Sequence, residues 1–355
     1  MPTFPCPATI WYNLLLAAID VVVLVPVRAT RSVVLACLAL AGAAAAGALL
    51  ARLAAEDIFG LFRLAAWALF LHGAVLTTIL GAIFWRARRR GWAVLWATGS
   101  AAILIIAADA LLVEPTWLEV SHVRITSRKL ARSWRIVLIA DLQTDHVGEY
   151  ERGVLRRAAA EKPDLVLLAG DYLQVSGTDG ETQRNLLNAA LREVDFAATA
   201  PVFVVQGNVD GASWLESFKG LGYTIAAASR SFELGGLRLT CLSLTDSFDA
   251  SLEVRGGDAG QFHVVLGHCP NFALGHVEAD LLLAGHTHGG QVRLPLLGPL
   301  VTLSRVPRAW VAGLTTLDHD RHLLVSRGLG MERGNAPPMR FCCRPELVVI
   351  DLVPD

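Results

Sequence analysis

The sequence predicts an N-terminal bundle of four transmembrane helices followed by a soluble α/β domain. Apolar residues make up 54% of the 355-residue chain, and almost all of the excess lies before residue 115. From about Arg124 onward, charge, glycine and proline occur in ordinary proportions. In this second part, short apolar runs alternate with helical stretches, as in α/β folds. We expect residues 1–115 to form the membrane bundle, 116–133 a polar connector and 134–355 the soluble domain.

The apolar part contains four stretches of about 20 residues, the length that crosses a hydrocarbon core. A signal peptide explains them poorly, because four such stretches follow one another. Asp20 lies in the middle of the first, where a charge is costly unless it meets a partner or water. A functional role for Asp20 is open, but we favour packing inside the bundle. The four stretches are Ile10–Val27, Val33–Ala55, Leu61–Trp85 and Trp92–Val113.

Arginines in the loops predict the orientation of the bundle. They gather between the first two stretches and between the last two, and positively charged loops stay in the cytoplasm. We therefore expect a multi-pass protein of the cell's inner (plasma) membrane with an extracytoplasmic soluble domain. If the first stretch lies in the membrane interface instead of crossing, either the soluble domain is cytoplasmic or the arginine rule fails. These arginines are Arg28, Arg31, Arg86, Arg88, Arg89 and Arg90.

In the soluble part, five predicted strands end at an Asp, Asn or His. An Asp after a single strand more often caps a helix. Ligands of open α/β sheets, however, bind at the carboxyl ends of strands, so five such ends favour a shared site. We also predict helices over Glu151–Glu161 and Thr182–Val194, and a hairpin from Phe232–Leu234 to Leu237–Leu244. The five strands are Ile136–Ala140, Leu165–Ala169, Val202–Val205, His263–Leu266 and Leu281–Leu283.

The last of these strands leads into the stretch around which the domain is organised, LLLAGHTHGGQVRLP at Leu281–Pro295. His286 and His288 lie on a glycine-rich loop, where both imidazoles can turn toward one point. Imidazole is the commonest metal ligand of proteins. A lone pair of this kind is more often satisfied by the backbone, so the metal interpretation depends on the other strand ends.

Taken in order, the strand ends resemble the five sequence blocks of the calcineurin-like metallophosphoesterase superfamily. The segments GHTHGGQVRLP and FCCRPE (Phe341–Glu346) are similar to its membrane-associated or exported bacterial branch. The resemblance covers about Trp134–Leu352 and implies a four-layer α/β/β/α sandwich that holds two divalent ions. The five blocks are Asp141, Gly170-Asp171, Gly207-Asn208, Gly267-His268 and Gly285-His286-Thr287-His288.

The resemblance also implies a set of metal ligands. Asp171 would bridge two ions; Asp141, Gln143 and His288 would hold one, and Asn208, His268 and His286 the other. Two such ions activate a water and neutralise the phosphate during phosphoester hydrolysis. Mixed oxygen and nitrogen ligands suit Mn, Fe, Zn or Co better than Mg or Ca.

Two positions depart from the family pattern. Gln143 stands where the first block has a histidine, which should weaken one metal site. Val209 stands where the third block has a histidine that contacts the phosphate. His146 lies close enough in sequence to approach the site from a loop, and Asp210 matches the acidic residue of the third block. We expect Asp171, Asn208, Asp210 and His146 to be the catalytic residues.

These observations predict a membrane-anchored, metal-dependent phosphoesterase acting on a phosphomonoester, phosphodiester or pyrophosphate. The membrane location suggests a lipid-linked substrate. A net charge of −1 provides no basic field, so no nucleic acid partner is expected. The alternative is a catalytically weak or inactive relative that binds a phosphorylated ligand and signals through its helices.

Overall fold

The computed structural model describes residues 7–175, 177–258, 260–318 and 320–355. The chain divides into two compact units. The helical unit contains the described residues up to Leu112 together with Gly334–Pro338. The α/β unit contains Val113–Arg333 and Met339–Asp355.

The helical unit confirms the four expected apolar helices. All four are long and apolar enough to cross a membrane. A π-helical turn, Ala68–Gly73, joins the two segments of the third, and a second π-helical turn, Asp109–Val113, continues the fourth. The helices are α1 (Pro7–Thr30), α2 (Val33–Ala54), α3 (Ile58–Trp67), α4 (Ala74–Arg86) and α5 (Arg90–Ala108).

Helix α2 explains how these helices pack. It begins at a cap in which the Ser32 hydroxyl accepts a hydrogen bond from Leu35 N at 3.4 Å. Its buried residues are all small and recur every three or four positions, which lets neighbouring helices approach closely. These residues are Ala36, Ala39, Ala43, Gly47 and Ala51.

A buried polar cluster lies between α1 and the π-helical turn. Oδ2 of Asp20 is 2.6 Å from His72 Nδ1, and His72 Nε2 is 3.0 Å from Asn13 Oδ1. Asp20 and His72 are both buried. Asp20 thus meets a partner inside the helical unit, as the cost of a charge in an apolar bundle requires.

The loops of the helical unit separate by charge. Nη1 of Arg89 donates to the Arg31 carbonyl at 3.2 Å, so the two arginine-rich loops lie together at one end. In the loop between α2 and α3, Asp57 Oδ2 accepts from Asn335 Nδ2 at 2.9 Å. This contact holds Gly334–Pro338 within the helical unit.

The α/β unit contains three helices, α6 (Glu149–Ala160), α7 (Gly180–Val194) and the short α8 (Leu244–Phe248). Most of its strands are short. They are β1 (Glu119–Ser127), β2 (Trp134–Ile139), β3 (Leu165–Leu168), β4 (Val202–Val205), β5 (Thr224–Ala226), β6 (Arg230–Leu234), β7 (Leu237–Cys241), β8 (Glu253–Val254), β9 (Phe262–Leu266), β10 (His276–Val277), β11 (Leu281–Ala284), β12 (Arg293–Leu294), β13 (Gly298–Pro299), β14 (Gly313–Asp318), β15 (Arg321–Val325) and β16 (Glu346–Pro354).

Two six-stranded sheets form the centre of the unit. Their strand orders are β1-β16-β2-β3-β4-β5 and β14-β15-β11-β9-β7-β6. Alternate residues of β2 separate the two faces of the first sheet. Leu138 packs in the core shared with the second sheet, whereas Val137 packs under α6 and α7. The outer face of the second sheet packs against the 3₁₀ turn Pro270–Leu274. The predicted α/β/β/α layers are therefore confirmed, and the outer layer on the second sheet is thin.

The structure differs from the sequence-based expectations at two places. Strand β1 lies within 116–133 and pairs in parallel with β16, so the expected connector forms the edge of the first sheet. The predicted strand Leu237–Leu244 ends at Cys241. Helix α8 begins at Leu244 because the Ser243 hydroxyl caps it, accepting from Asp246 N at 3.1 Å.

Candidate metal centre

The sheet topology brings the predicted ligands to one edge of the α/β unit. Strands β2, β3 and β4 run parallel in the first sheet, and β9 and β11 run parallel in the second. Parallel strands end at the same edge, so the residues after them meet there. Asp141, Asp171 and Asn208 follow the first three strands, and His268 and His286 follow the other two.

Buried carboxylates and imidazoles form two overlapping groups at this edge. In one group, ligand atoms of Asp141, Asp171 and His288 all lie within 4.8 Å of one another. Asp171, His268 and His286 form the second group under the same limit. Asp171 belongs to both groups, which is the position the resemblance implied for a bridging carboxylate.

The two predicted amide ligands also reach these groups. Asn208 Oδ1 is 2.9 Å from His268 Nε2, and Gln143 Oε1 is 2.5 Å from His288 Nε2. Each amide oxygen therefore lies beside the imidazole with which the resemblance paired it. All seven predicted metal ligands are brought together.

Backbone carbonyls orient two of the imidazoles. Nδ1 of His268 is 2.8 Å from the Ala169 carbonyl, and Nε2 of His286 is 3.1 Å from the Leu303 carbonyl. A carbonyl only accepts, so these nitrogens carry the protons. When each ring is neutral, the lone pair belongs to Nε2 of His268 and to Nδ1 of His286. Such contacts commonly fix the tautomer of a metal-ligating histidine.

Most ligand residues have strained backbone. Five of the seven adopt the left-handed region, which non-glycine residues occupy at a cost and which is enriched at functional sites. Gly207 is equally constrained, because a Cβ there would lie 2.1 Å from Asp171 N and Asp171 Oδ1. The five residues and their φ angles are Asp141 (48°), Gln143 (27°), Asp171 (55°), His286 (68°) and His288 (48°).

Burial and mutual charge perturb the ionisation of the cluster. Burial, reinforced by the Asp171 charge, raises the pKa of Asp141 to about 7. Burial opposes protonation of His268, but the carboxylates of Asp171 and Asp141 outweigh it and raise its pKa to about 9. Burial and the His268 charge lower the pKa of His286 to about 4. Burial and Arg340 lower the pKa of His288 well below its usual value.

This set of donors fits two divalent transition metal ions. It contains two carboxylates, three imidazoles and two amide oxygens, a mixture that Mn, Fe, Zn and Co accept. The buried residues Asp141 and Asp171 place two carboxylates in one group of ligand atoms. Bound ions would compensate this charge.

Sequence reasoning missed the residues that hold Gln143. Its Nε2 donates to Gln174 Oε1 at 2.9 Å and to Glu332 Oε2 at 3.1 Å. Gln174 Nε2 in turn donates to Glu332 Oε1 at 2.7 Å. These contacts hold the Gln143 side chain with its oxygen toward His288. No motif marks Glu332, which lies 189 residues further along the chain.

Asp210 and His146 differ from the ligands. The Asp210 carboxylate accepts hydrogen bonds from Asp171 N at 2.9 Å, Tyr172 N at 2.8 Å and Gly207 N at 2.8 Å. It therefore ties two strand-end loops together, and burial with the Asp171 charge raises its pKa to about 7. The His146 side chain is exposed, and no contact among the described residues joins it to the cluster.

A cavity of about 230 Å³ is lined by Gln174, Val209, Asp210 and Arg184. Val209 connects it to the cluster, because its N–H donates to Asp171 Oδ1 at 2.9 Å. Arg184 has no ion pair among the described residues. Its guanidinium can therefore meet an anionic group in the cavity.

Comparisons with known proteins show the family to which the chain belongs. The family model for calcineurin-like phosphoesterases matches residues 135–290. Phosphodiesterase YaeI of Escherichia coli K12 is 31% identical over 269 residues, which cover 68% of this chain and 90% of that protein. The chain belongs to the calcineurin-like phosphoesterase family.

Other proteins that match this chain are less similar to it in sequence. The uncharacterized metallophosphoesterase YkuE of Bacillus subtilis is 27% identical over 261 residues, covering 68% of this chain and 88% of that protein. A dimetal phosphatase from Danio rerio is 13% identical, with a TM-score of 0.35, over 55% of this chain and 88% of its own. Calcineurin-like phosphoesterases use a dinuclear metal site, and this chain has two candidate groups that share Asp171.

Proposed function

We propose that this protein is a membrane-anchored phosphoesterase that hydrolyses a phosphomonoester, phosphodiester or pyrophosphate bond with two divalent ions. The observation that carries the proposal is the sharing of Asp171 by two groups of buried ligands. A carboxylate placed between two such groups is what a two-metal phosphoesterase requires. Mn, Fe, Zn and Co all suit the donor set.

The seven ligands would hold the ions in two sets. Asp141, Gln143 and His288 would bind one ion and Asn208, His268 and His286 the other, with Asp171 common to both. Bound ions supply a nucleophile from water at neutral pH and neutralise phosphate charge. The backbone N–H of Val209 holds one Asp171 oxygen. Asp210 holds the loops that carry Asp171 and Asn208.

Recognition of the phosphate falls to residues outside the usual motif. Val209 cannot donate a hydrogen bond to an oxygen of the substrate through its side chain. Arg184, which lines the same cavity, supplies a planar donor that can pair with two phosphate oxygens. We assign substrate binding to Arg184. That His146 transfers a proton to the leaving group stays a prediction.

The arginine distribution supports an extracytoplasmic catalytic domain. The loops that carry Arg31 and Arg89 contact each other at one end of the helical unit. Positive loops remain in the cytoplasm. Four crossings then bring the chain after α5 to the outer side of the plasma membrane. A reporter fused after Asp355 should behave as exported, and cytoplasmic reporter activity would overturn this orientation.

Metal analysis and a substrate panel test the catalytic proposal. The full chain, purified in detergent and loaded with each of the four metals, should retain two ions. It should hydrolyse at least one of p-nitrophenyl phosphate, bis(p-nitrophenyl) phosphate and an organic pyrophosphate. Folded protein that retains no ion under any loading condition would overturn the dinuclear site.

Val209 favours a second candidate, a relative that binds a phosphorylated ligand without turnover. Its side chain removes the usual contact to the phosphate and leaving group, while every ligand position remains filled. Metal-replete protein that hydrolyses nothing, yet binds a phosphorylated compound tightly, would establish this candidate in place of the enzyme.

A further inference from the structure

The segment that follows the His288 loop exposes an unusual number of leucines. We call residues 291–308 the apolar segment. Leu296 is fully exposed at 106%, Leu297 is 68% exposed, and Leu300 and Leu303 are 42% and 44% exposed. Scattered exposed leucines are normal on soluble proteins, but four within eight residues form a patch of the kind that marks an interaction surface.

Ordered backbone holds these leucines in solvent. Strands β12 and β13 pair as a hairpin, with Leu294 opposite Gly298, and Leu296 and Leu297 lie at its tip. Arg308 Nη2 donates to the Leu297 carbonyl at 3.3 Å and also to the Pro299 carbonyl. The exposure is therefore a property of a built hairpin.

The charged residues of the apolar segment indicate what kind of partner it binds. No Asp or Glu occurs between Asp280 and Asp318, whereas the segment contains Arg293, Arg305 and Arg308. Arg305 and Arg308 are exposed. Leucines flanked by arginines alone are the composition that binds an anionic bilayer, since the apolar side chains enter the acyl boundary and the cations meet headgroups. The four apolar helices of this chain make a bilayer available.

The apolar segment also contacts the candidate metal centre. The Leu303 carbonyl accepts from His286 Nε2 at 3.1 Å. Asn271, three residues after His268, accepts through Oδ1 from the Ser304 hydroxyl at 2.7 Å and from Arg305 N at 2.8 Å. A Cβ on Gly290 would lie 2.2 Å from Pro299 Cβ, so the hairpin packs directly on the histidine loop. The leucines therefore border the ligands of one metal group.

We propose that the apolar segment docks on the bilayer and that the site acts on phosphoesters whose apolar portion stays in the membrane. The substrate class, a phosphorylated lipid, rests on the proposed function, whereas the docking does not. With Leu296 and Leu297 in the acyl boundary, the phosphate of a lipid headgroup would reach His286 without leaving the interface.

Spin-label depth measurement tests the docking without any activity. A nitroxide attached at Leu296→Cys in the full chain, reconstituted in vesicles of phosphatidylethanolamine with phosphatidylglycerol, should be accessible to oxygen and shielded from a polar nickel complex. The same label at Leu215→Cys should be accessible to both. Leu215 is 44% exposed, like Leu303, and lies outside the segment. The labelled parent chain corrects for exposed Cys37 and Cys342.

Three outcomes of this measurement are decisive. A label at 296 that remains as accessible to nickel as the one at 215 overturns the docking. A label shielded from both reagents, in vesicles and in detergent alike, indicates a protein partner and also overturns it. Stronger shielding from nickel in phosphatidylglycerol vesicles than in phosphatidylcholine vesicles supports the role of the arginines.

Hydrolysis assays then test the substrate class. The double variant Leu296→Asp, Leu297→Asp should lose about tenfold of its activity on phosphatidic acid or phosphatidylglycerol in vesicles, because the charged tip cannot enter the acyl boundary. Its activity on bis(p-nitrophenyl) phosphate should be unchanged, and Leu215→Asp should change neither. Hydrolysis of soluble esters but of no lipid ester overturns the lipid substrate. A docked label with no hydrolysis of any ester overturns the proposed function and the lipid substrate that rests on it, but leaves the docking standing.

Discussion

The helical unit and the α/β unit each bury acids beside imidazoles, but the two clusters differ in how many metal-ligating groups they contain. In the helical unit, both ring nitrogens of His72 have protein partners, Asp20 and Asn13. In the α/β unit, a single nitrogen, His268 Nε2, lies near two oxygens. It is 2.9 Å from Asn208 Oδ1 and 3.3 Å from Asp171 Oδ2. The α/β cluster gathers two carboxylates and three imidazoles into two overlapping groups that could hold a metal ion, whereas the helical cluster contains one of each.

Backbone geometry marks the same difference. His72 lies in a π-helical turn, and neither Asp20 nor His72 has a left-handed backbone. In the α/β unit, Asp141, Asp171 and His288 do. Both metal-compatible groups found in the described residues lie in the α/β unit. A buried acid beside a histidine is thus insufficient to indicate a metal site. The candidate site is distinguished by several ligand groups gathered on strand ends with left-handed backbone.

The largest expected effect separates the two clusters directly. Asp171→Asn removes the carboxylate shared by both ligand groups, so hydrolysis should fall to background and metal content should drop. Asp20→Asn, the matched change in the helical unit, should leave metal content per folded chain unaltered. Elemental analysis and hydrolysis assays on both purified variants measure this. Loss of metal in Asp20→Asn would contradict the claim that the metal ligands lie in the α/β unit and not in the helical unit.

Glycine substitutions should reveal the same contrast in packing. Gly207→Ala places a Cβ 2.1 Å from Asp171 N. The resulting shift of Asp171 should lower metal content and cost about 3 kcal/mol of stability. Gly47→Ala in α2 meets its nearest atoms at 3.4 Å. Alanine also favours a helix, so its effect should stay within about 1 kcal/mol. Thermal unfolding measures the loss of stability in each variant. Equal losses in Gly207→Ala and Gly47→Ala would contradict the contrast.

The candidate ligands could be predicted from the sequence, but the residues that orient them could not. Asp141, Asp171 and His268 were found because each follows an apolar run of strand length. Gln174 and Glu332 follow no such run, and they act on Gln143 only after the fold joins distant segments. Side-chain partners at that separation leave no local periodicity to detect.

The helical unit shows the same limit. Hydropathy predicted its four helices, and the cost of burying Asp20 predicted a partner without identifying His72. That pairing depends on the π-helical turn Ala68–Gly73, whose register hydropathy does not encode. The sequence indicates strand β1 only weakly, as a short strand at the start of a polar connector, because it is an edge strand with polar residues such as Ser121 and Arg124. Only its pairing with β16 shows its full extent.

A smaller effect should come from restoring the usual imidazole at position 143. Gln143→His offers a stronger metal ligand, and it should raise affinity for one of the two ions. The gain should be limited to about tenfold, because Gln174 and Glu332 lose the amide that bonds them. Chelator competition measures the affinity. Gln143→Ala is the control and should bind that ion more weakly, whereas equal affinity in all three chains would show that position 143 is not a ligand.

The smallest effect is expected at position 209. Substitutions there distinguish an active enzyme from a relative that binds a phosphorylated ligand without turnover. Val209→His restores a group that, in a site adapted to it, contributes about 10²–10⁴-fold to the rate. If Arg184 already binds the phosphate, the new imidazole duplicates that function, and the rate should change by no more than about threefold.

Arg184→Ala provides the matched test of position 209. Alone it should raise KM more than it lowers kcat, because the guanidinium would bind the phosphate in ground and transition states alike. Combined with Val209→His, it should recover part of the loss. A silent wild type that becomes active on Val209→His alone would instead identify a lapsed enzyme. The competent ligands at the six other metal positions favour the adapted enzyme, since a site without turnover has little physical reason to hold Asp171 between two complete ligand sets.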